Sequence, residues 1–273
     1  FVRIFDASGM ETHRFGDDGS LGVISRVVVL DEGQLVVLTR LEGKSAYVLC
    51  DFRGEPIERI ELSGLPEQYG DFAPDQLVHR RGSLYFGERG RMRVVVTDLN
   101  GRFRQAYQLR DLVASAMSQD TEQKLAGSID GFNVDDRGNL LFTMSTMFSG
   151  AVVSPGSQAS LFGSRGSRPG RFNVIGGIDA DENGNLFVSD RLRSVISVWS
   201  RDREFLGEFG YRGDGPTNLL TPYEIAVGNG KVYVAQAGRR GVRVFRVRLT
   251  VPERHEPAAP PPLPPPRGER SVG

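Results

Sequence analysis

The chain has 273 residues, of which 39% are apolar, and its 34 basic residues balance its 34 acidic residues. A zero formal net charge argues against a global electrostatic grip on nucleic acid or anionic lipid, so we expect neither as a direct partner. No run approaches the roughly 18 consecutive apolar residues of a membrane span. A single cysteine, Cys50, excludes an intramolecular disulfide, and its place inside an apolar strand predicts a buried thiol.

The first pattern along the chain is strand, turn and strand over Val2 to Gly16. In its turn, Asp6 precedes Gly9 by three residues, and the same spacing returns from Asp51 and from Asp98. An Asp that accepts hydrogen bonds from the residues ahead, followed by a Gly at positive φ, is typical of a hairpin turn. We therefore expect a series of similar hairpins.

A second pattern, a turn with glycine near its centre and then a short apolar strand, occurs five times. Its strands begin at Leu35, Leu84, Leu140, Leu186 and Val232, at steps of 49, 56, 46 and 46 residues. A period of about 40–50 residues with several short strands per repeat is typical of a β-propeller blade.

An apolar strand precedes each of these units and a hairpin follows most of them, which predicts an all-β propeller of four-stranded antiparallel blades. Six blades are favoured, with the inner half of an incomplete first blade upstream of Phe1. A five-bladed ring closed by an N-terminal outer strand is the alternative. The Ser- and Gly-rich stretch from Met147 to Gly163 predicts weak strands, and helical spacing within Arg110 to Lys124 predicts a short helix between blades.

The composition changes near residue 250. We expect residues 1–249 to form the propeller and residues 250–273 to be an extended, proline-rich tail. The tail is either a spacer or a segment that docks on another subunit. The docking residues would be Pro260, Pro261, Pro262, Leu263, Pro264, Pro265, Pro266 and Arg267.

The stretches Ile178 to Asp190, Val195 to Pro222 and Glu224 to Gln236 resemble NHL-type repeats and the bacterial extracytoplasmic six-bladed propellers built from them. The Gly- and Pro-rich connector from Gly210 to Pro222 has a second copy at Arg165 to Ile178. The resemblance covers most of residues 1–247 and implies the propeller fold and an extracytoplasmic location. The family includes lyases, lactone hydrolases, RNA binders and interaction modules, so the resemblance leaves function open.

Catalytic and metal-binding candidates are sparse. Asp179, Asp181 and Asn183 have the spacing of a calcium loop that would end at Asp190, but a strand predicted over its second half would prevent it from wrapping an ion. Zinc needs clustered ligands, and we do not expect His13, His79, His255 and Cys50 to converge. We therefore predict no metal and no cofactor. A metal-dependent hydrolase, lactonase or lyase at the channel mouth is the alternative, and would use polar residues of the inner strands: Asp75, Asp130, Asn133 and Glu224.

Arginines recur in the turns between the second and third strands of successive blades. Such turns emerge on one face of a propeller, so they would form a positive rim suited to the carboxylates or phosphates of a partner. The predicted rim residues are Arg40, Arg89, Arg91, Arg191, Arg193, Arg239 and Arg240. The competing interpretation is that they form solvated ion pairs with neighbours such as Glu42, Glu88 and Asp190.

The sequence thus favours a non-catalytic, extracytoplasmic propeller that binds other protein subunits. It would be an accessory or scaffold component of a larger complex, and a membrane-bound complex is among the candidates. Contact with a membrane would come only through partners or through an anchor upstream of Phe1. RNA binding is disfavoured because the chain is neutral and has only three lysines.

Overall fold

A computed structural model describes residues 1–6, 8–41, 44–117, 127–238 and 241–249. Short antiparallel strands form nearly all of its regular structure. The chain begins with a two-stranded hairpin, β1 (Val2–Phe5) and β2 (Glu11–Phe15). The predicted tail, with Pro260 to Arg267, lies outside the described residues.

Five blades follow in chain order, and each runs from its innermost strand outward. Blade 1 comprises β3 (Val23–Val29), β4 (Leu35–Leu41), β5 (Lys44–Cys50) and β6 (Pro56–Ile60). Blade 2 comprises β7 (Gln76–Arg80), β8 (Ser83–Glu88), β9 (Arg93–Thr97) and β10 (Phe103–Gln108). Blade 3 comprises β11 (Phe132–Val134), β12 (Leu140–Met144), β13 (Ser149–Val153) and β14 (Ala159–Phe162). Blade 4 comprises β15 (Ile175–Ala180), β16 (Leu186–Asp190), β17 (Val195–Trp199) and β18 (Phe205–Phe209). Blade 5 has three described strands, β19 (Pro222–Gly228), β20 (Lys231–Gln236) and β21 (Val242–Arg246).

The prediction of an all-β propeller with four-stranded blades is confirmed, but the preference for six blades is wrong. The described residues form five blades and the separate β1–β2 hairpin, which has no inner strands beside it. The hairpin does not close blade 5 either, because it pairs with none of the described strands of that sheet. It packs instead against blade 1, where Val2, Ile4 and Phe15 join Val37 and Val48 in an apolar cluster.

Two further expectations concern blade 3 and the segment before it. The expected helix exists as α1 (Leu109–Ala116), and residues 118–126 lie outside the described part. The expectation of weak strands after Met147 is wrong, since β13 and β14 pair in regular register. Gly150 explains this difference, because a Cβ there would lie 2.3 Å from the ring of Phe162. The small residue that lowers strand propensity is what lets this aromatic ring pack.

The recurring Asp turns are confirmed. In each, one carboxylate oxygen accepts backbone N–H bonds from the residues two and four positions ahead, and the glycine has φ between 80° and 88°. At Asp51, the bonds from Arg53 and Glu55 measure 2.8 and 2.9 Å. The carboxylates at the other equivalent positions are Asp6, Asp98, Asp135 and Asp181.

The core is a series of apolar layers between successive blades. Leu38, Tyr47 and Phe86 fill the layer between blades 1 and 2, and Phe187 and Val234 belong to the layer between blades 4 and 5. Further clusters lie between blades 2 and 3 and between blades 3 and 4. Cys50 is fully buried, as expected. Because adjacent faces pack rigidly against each other, the turns at the ends of the strands are held in fixed positions.

Candidate functional site

One face of the propeller carries the turns between second and third strands together with the connectors that lead into each new blade. We call it the upper face. In an antiparallel blade these turns emerge at the same end of the sheet, as expected from the sequence. The rim arginines with described positions lie here, but their environments differ. Arg239 and Arg240 lie outside the described residues.

Arg89 and Arg91 are half-exposed and ion-paired. The Nε of Arg89 lies 2.8 Å from a carboxylate oxygen of Asp75. Arg91 contacts Asp71, and its Nε lies 3.8 Å from Glu88. Exposed pairs of this kind contribute little to stability because solvent screens them, and each carboxylate offsets the positive charge that the arginine would present to a partner.

Arg193 is a buried structural residue. It donates to Glu208 at 2.5 Å and to the carbonyl of Arg171 at 3.1 Å, and only 10% of its side chain is exposed. Its own backbone N–H donates to Asp190, which also caps the N–H of Asn173. Arg193 therefore anchors the β16–β17 turn to the outer strand and presents little surface for a partner.

Arg40 and Arg191 are exposed, and no ion pair of either side chain occurs among the described residues. The backbone N–H of Arg191 donates to Val174 at 2.7 Å, which ties the turn to the connector entering blade 4. Its aliphatic stem passes close to Gly176. Gly176 also lies against the backbone of Tyr223, so Arg191 and Tyr223 are neighbours across the junction of blades 4 and 5.

Exposed apolar residues lie near Arg191 in the chain and in space. Leu192, at the tip of the turn, is 65% exposed, and Val174 and Tyr223 are also exposed. We call Val174, Arg191, Leu192 and Tyr223 the upper patch. Sequence reasoning found only the arginine. Leu192 could have indicated this surface from the sequence, because an apolar residue at the centre of a turn lies outside the core of the blade.

Arg26 is a second residue that sequence reasoning missed. It extends from β3 towards the channel axis, donates to Gln76 at 3.0 and 3.2 Å, and pairs with Glu224 at 2.9 Å. These bonds connect blades 1, 2 and 5 across the central channel. Glu224, which a channel-mouth hydrolase would need, is thus committed to an ion pair.

The other candidate catalytic residues are also used structurally. Asp130 accepts the N–H of Ser145 at 2.6 Å, and Asn133 accepts the N–H of Val134. His13 and His79 each bond to a backbone carbonyl on different elements, so the structure does not bring them together. His255 lies outside the described residues.

The calcium-like spacing does not produce a cluster. Asp181 caps its own turn, while Asp190 lies at the opposite end of β16. Within the described ranges, no group of three or more His, Cys, Asp or Glu side chains is arranged to hold a metal ion. No described helix has the length and apolar character needed to cross a membrane.

Asp179 is a buried carboxylate whose pKa is raised. It is 2% exposed, and its oxygens accept the N–H groups of Val227 and Ala180 at 2.7 and 2.8 Å. Burial raises its pKa to about 6, although the two N–H donors and Arg80 oppose the shift. Its bond to Val227 joins β15 to β19, so its role here is to hold neighbouring blades.

Comparisons with known proteins agree with this architecture. No model of a known protein family matches the chain, and no curated protein matches it. Among solved structures, a nidogen/laminin complex superposes with a TM-score of 0.53 and 12% identity, covering 78% of this chain and 72% of that one. Virginiamycin B lyase from Staphylococcus aureus superposes with a TM-score of 0.53 and 13% identity, covering 90% of this chain and 77% of the lyase chain. A protein of unknown function from Bacteroides thetaiotaomicron superposes with a TM-score of 0.55 and 14% identity, covering 81% of this chain and 58% of that one.

These likenesses define the class of the protein as a β-propeller. At such identities they establish the fold alone, since one propeller scaffold serves many functions.

Proposed function

We propose that this protein is a non-catalytic propeller that binds another protein through its upper face. The observation that carries the proposal is the upper patch, in which three exposed apolar residues lie near an arginine that has no ion pair among the described residues. Tyrosine and arginine are enriched at the energetic centres of protein interfaces, where apolar surface surrounds a polar anchor. Isolated exposed apolar residues are ordinary, but several of them grouped near one junction on a rigid face indicate a binding surface.

The ion-paired arginines complete the proposed surface as its polar border. Arg89 and Arg91 lie on the same face, with charge largely matched by Asp71, Asp75 and Glu88. Such a border tunes association rate and specificity more than affinity. Arg40, Arg239 and Arg240 belong to the proposed rim as well. We propose that the tail residues Pro260 to Arg267 add a second contact to the same partner.

The proposed setting is extracytoplasmic, as an accessory subunit of a larger complex. Its support is the resemblance to NHL-type extracytoplasmic propellers, carried by Ile178 to Asp190 and Val195 to Pro222. The neutral net charge agrees with a protein partner rather than with nucleic acid.

The test is affinity capture from the native source with the wild-type chain and two double variants. Arg191→Glu with Leu192→Asp alters the upper patch, whereas Arg201→Glu with Leu206→Asp changes an exposed arginine and leucine elsewhere on blade 4. We expect a partner that the wild type and the second variant retain, and that the first loses by at least about tenfold. Equal recovery by all three proteins would refute the proposal.

The alternative is a metal-dependent hydrolase, lactonase or lyase. Its support is the shared fold with virginiamycin B lyase, which does not transfer chemistry at 13% identity. Metal analysis of the protein purified without chelators tests it directly. Calcium or zinc at one equivalent per chain would favour the enzyme and count against the interaction proposal.

A further inference from the structure

Blade 5 differs from the other blades at its outer edge. Blades 1 to 4 each have a fourth strand outside the third, whereas β21 is the outermost strand of its sheet among the described residues. An edge strand presents a row of unpaired backbone N–H and C=O groups, which are a template for another strand. The third strands β9 and β17 are buried at every position, but β21 alternates between exposed and half-buried residues.

The surface around this edge is apolar on both sides. On one face of the sheet, Val242 and Val244 are exposed beside Tyr233 of β20. On the other, Phe245 packs against Phe209 of β18, with ring centroids 5.0 Å apart. A groove of about 470 Å³ runs along this second side. A strand paired with β21 would lie beside it in the same sheet, and every second side chain of that strand would point to the side of the groove.

The charge of blade 5 specifies what the added strand should contain. Between Pro222 and Leu249 the sequence has one acidic residue, Glu224, which is already paired with Arg26. The same stretch has six basic residues: Lys231, Arg239, Arg240, Arg243, Arg246 and Arg248. In a chain of zero net charge, positive charge is therefore concentrated on blade 5, whose outermost described strand is β21.

The cross-strand register shows this imbalance locally. Arg246 of β21 lies directly opposite Lys231 of β20, and like charges in that position destabilise a sheet. In blade 4 a carboxylate of the fourth strand does bind an arginine, since Glu208 of β18 pairs with Arg193 of the β16–β17 turn. An acidic residue on a strand beside β21 would in the same way offset the charge of Arg246.

We propose that β21 binds an extended acidic segment of a partner protein as the fourth strand of blade 5. Alternate apolar side chains of the segment enter the groove beside Phe209 and Phe245, and acidic side chains on its other face lie next to Arg246. Backbone hydrogen bonds along the edge provide affinity, and the alternation provides specificity. This site is separate from the upper patch, so either can fail without the other.

The test is fluorescence anisotropy with the full chain and three labelled nine-residue peptides. One alternates valine and glutamate, one alternates valine and lysine, and one carries a central proline in the glutamate series, which prevents strand pairing. We expect binding of the glutamate peptide only, weakened by raised salt. Arg246→Glu should weaken that binding by about fivefold to tenfold and allow the lysine peptide to bind.

Arg59→Glu is the matched control, because Arg59 is an exposed arginine on β6, the outer strand of a complete blade. It should bind the peptides as the wild type does. Hydrogen exchange should show new protection in β21 when the glutamate peptide binds. Equal binding of the glutamate and proline peptides, or no binding by the full chain, would overturn the proposal. So would concentration-dependent dimerisation abolished by Arg246→Glu, since the occupant would then be a second copy.

Discussion

The close approach of Gly131, the residue before β11, to β15 gives a sharp test of how the inner strands pack. A Cβ on Gly131 would lie 2.3 Å from the carbonyl oxygen of Gly176 and 2.9 Å from the Cα of Gly177. Both contacts are with backbone, so no side-chain rotation relieves them. Gly131→Ala therefore requires blades 3 and 4 to separate locally by about 1 Å before the contact becomes an ordinary one.

That separation would disturb a buried hydrogen-bond chain as well. Thr143 donates to the carbonyl of Gly176 at 2.5 Å and accepts the N–H of Gly131 at 2.8 Å. Forced overpacking costs about 1–3 kcal/mol, and each kcal/mol corresponds to about 2–4 °C in a domain of this size. We expect Gly131→Ala to lower the free energy of unfolding by about 2 kcal/mol or more and the Tm by about 4–12 °C.

Urea denaturation followed by tryptophan fluorescence measures the free energy of unfolding, and differential scanning fluorimetry measures the Tm. Gly207→Ala is the matched control, because this strand glycine has ordinary φ and no heavy atom within 4 Å of the added Cβ. It should stay within about 0.5 kcal/mol of wild type. A Gly131→Ala protein as stable as the control would show that the inner strands are not packed as described.

Three further predictions concern buried charge and turns. Burial raises the pKa of Asp179 from 3.8 to about 6, so its stabilising contribution is complete below pH 4 and is lost as the pH rises through 6. The wild type should therefore lose up to about 3 kcal/mol relative to Asp179→Asn between pH 4 and pH 7 in urea titrations, and parallel pH profiles would contradict this. Arg193→Met leaves Glu208 buried without its cation and should lower the free energy of unfolding by about 3–5 kcal/mol. The double change Arg193→Met with Glu208→Met should restore more than half of that loss. If denaturant melts showed additive losses for the two changes, the two side chains would not be a mutually dependent pair. Asp51→Ala removes the two hydrogen bonds that the carboxylate accepts from backbone N–H groups in its turn. It should lower the free energy of unfolding by about 1–2 kcal/mol in the same melts. An unchanged midpoint would mean that water replaces the carboxylate.

Local chemistry explains why much of the fold was predictable. An Asp three residues before a Gly makes the same turn wherever it occurs, so Asp51 and Asp98 could be recognised from spacing alone. The blades were predicted from a second repeat, the turn–strand units whose strands begin at Leu35, Leu84, Leu140, Leu186 and Val232. Strand propensity gave the wrong prediction around Gly150. The ring of Phe162, which requires a glycine there, belongs to another strand, so a short sequence window does not reveal the contact.

The candidate site was less predictable, because charge in a sequence does not reveal its partners. Arg191 and Arg193 are two residues apart in one turn, yet Arg191 is exposed and Arg193 is buried against Glu208. The upper patch brings together Val174 and Tyr223, which belong to two blades. They lie too far apart in the sequence for any local motif to link them.

The amino-acid sequence by itself therefore determined the repeating hairpins, their turn chemistry and the class of fold, because each depends on contacts within a few residues. Only the tertiary structure decided that there are five blades, which of the described arginines form ion pairs, and that β21 is the outermost described strand of blade 5. Those properties depend on which distant strands come into contact. The burial of a side chain and the partner of a charge or of a strand edge are fixed only by those contacts.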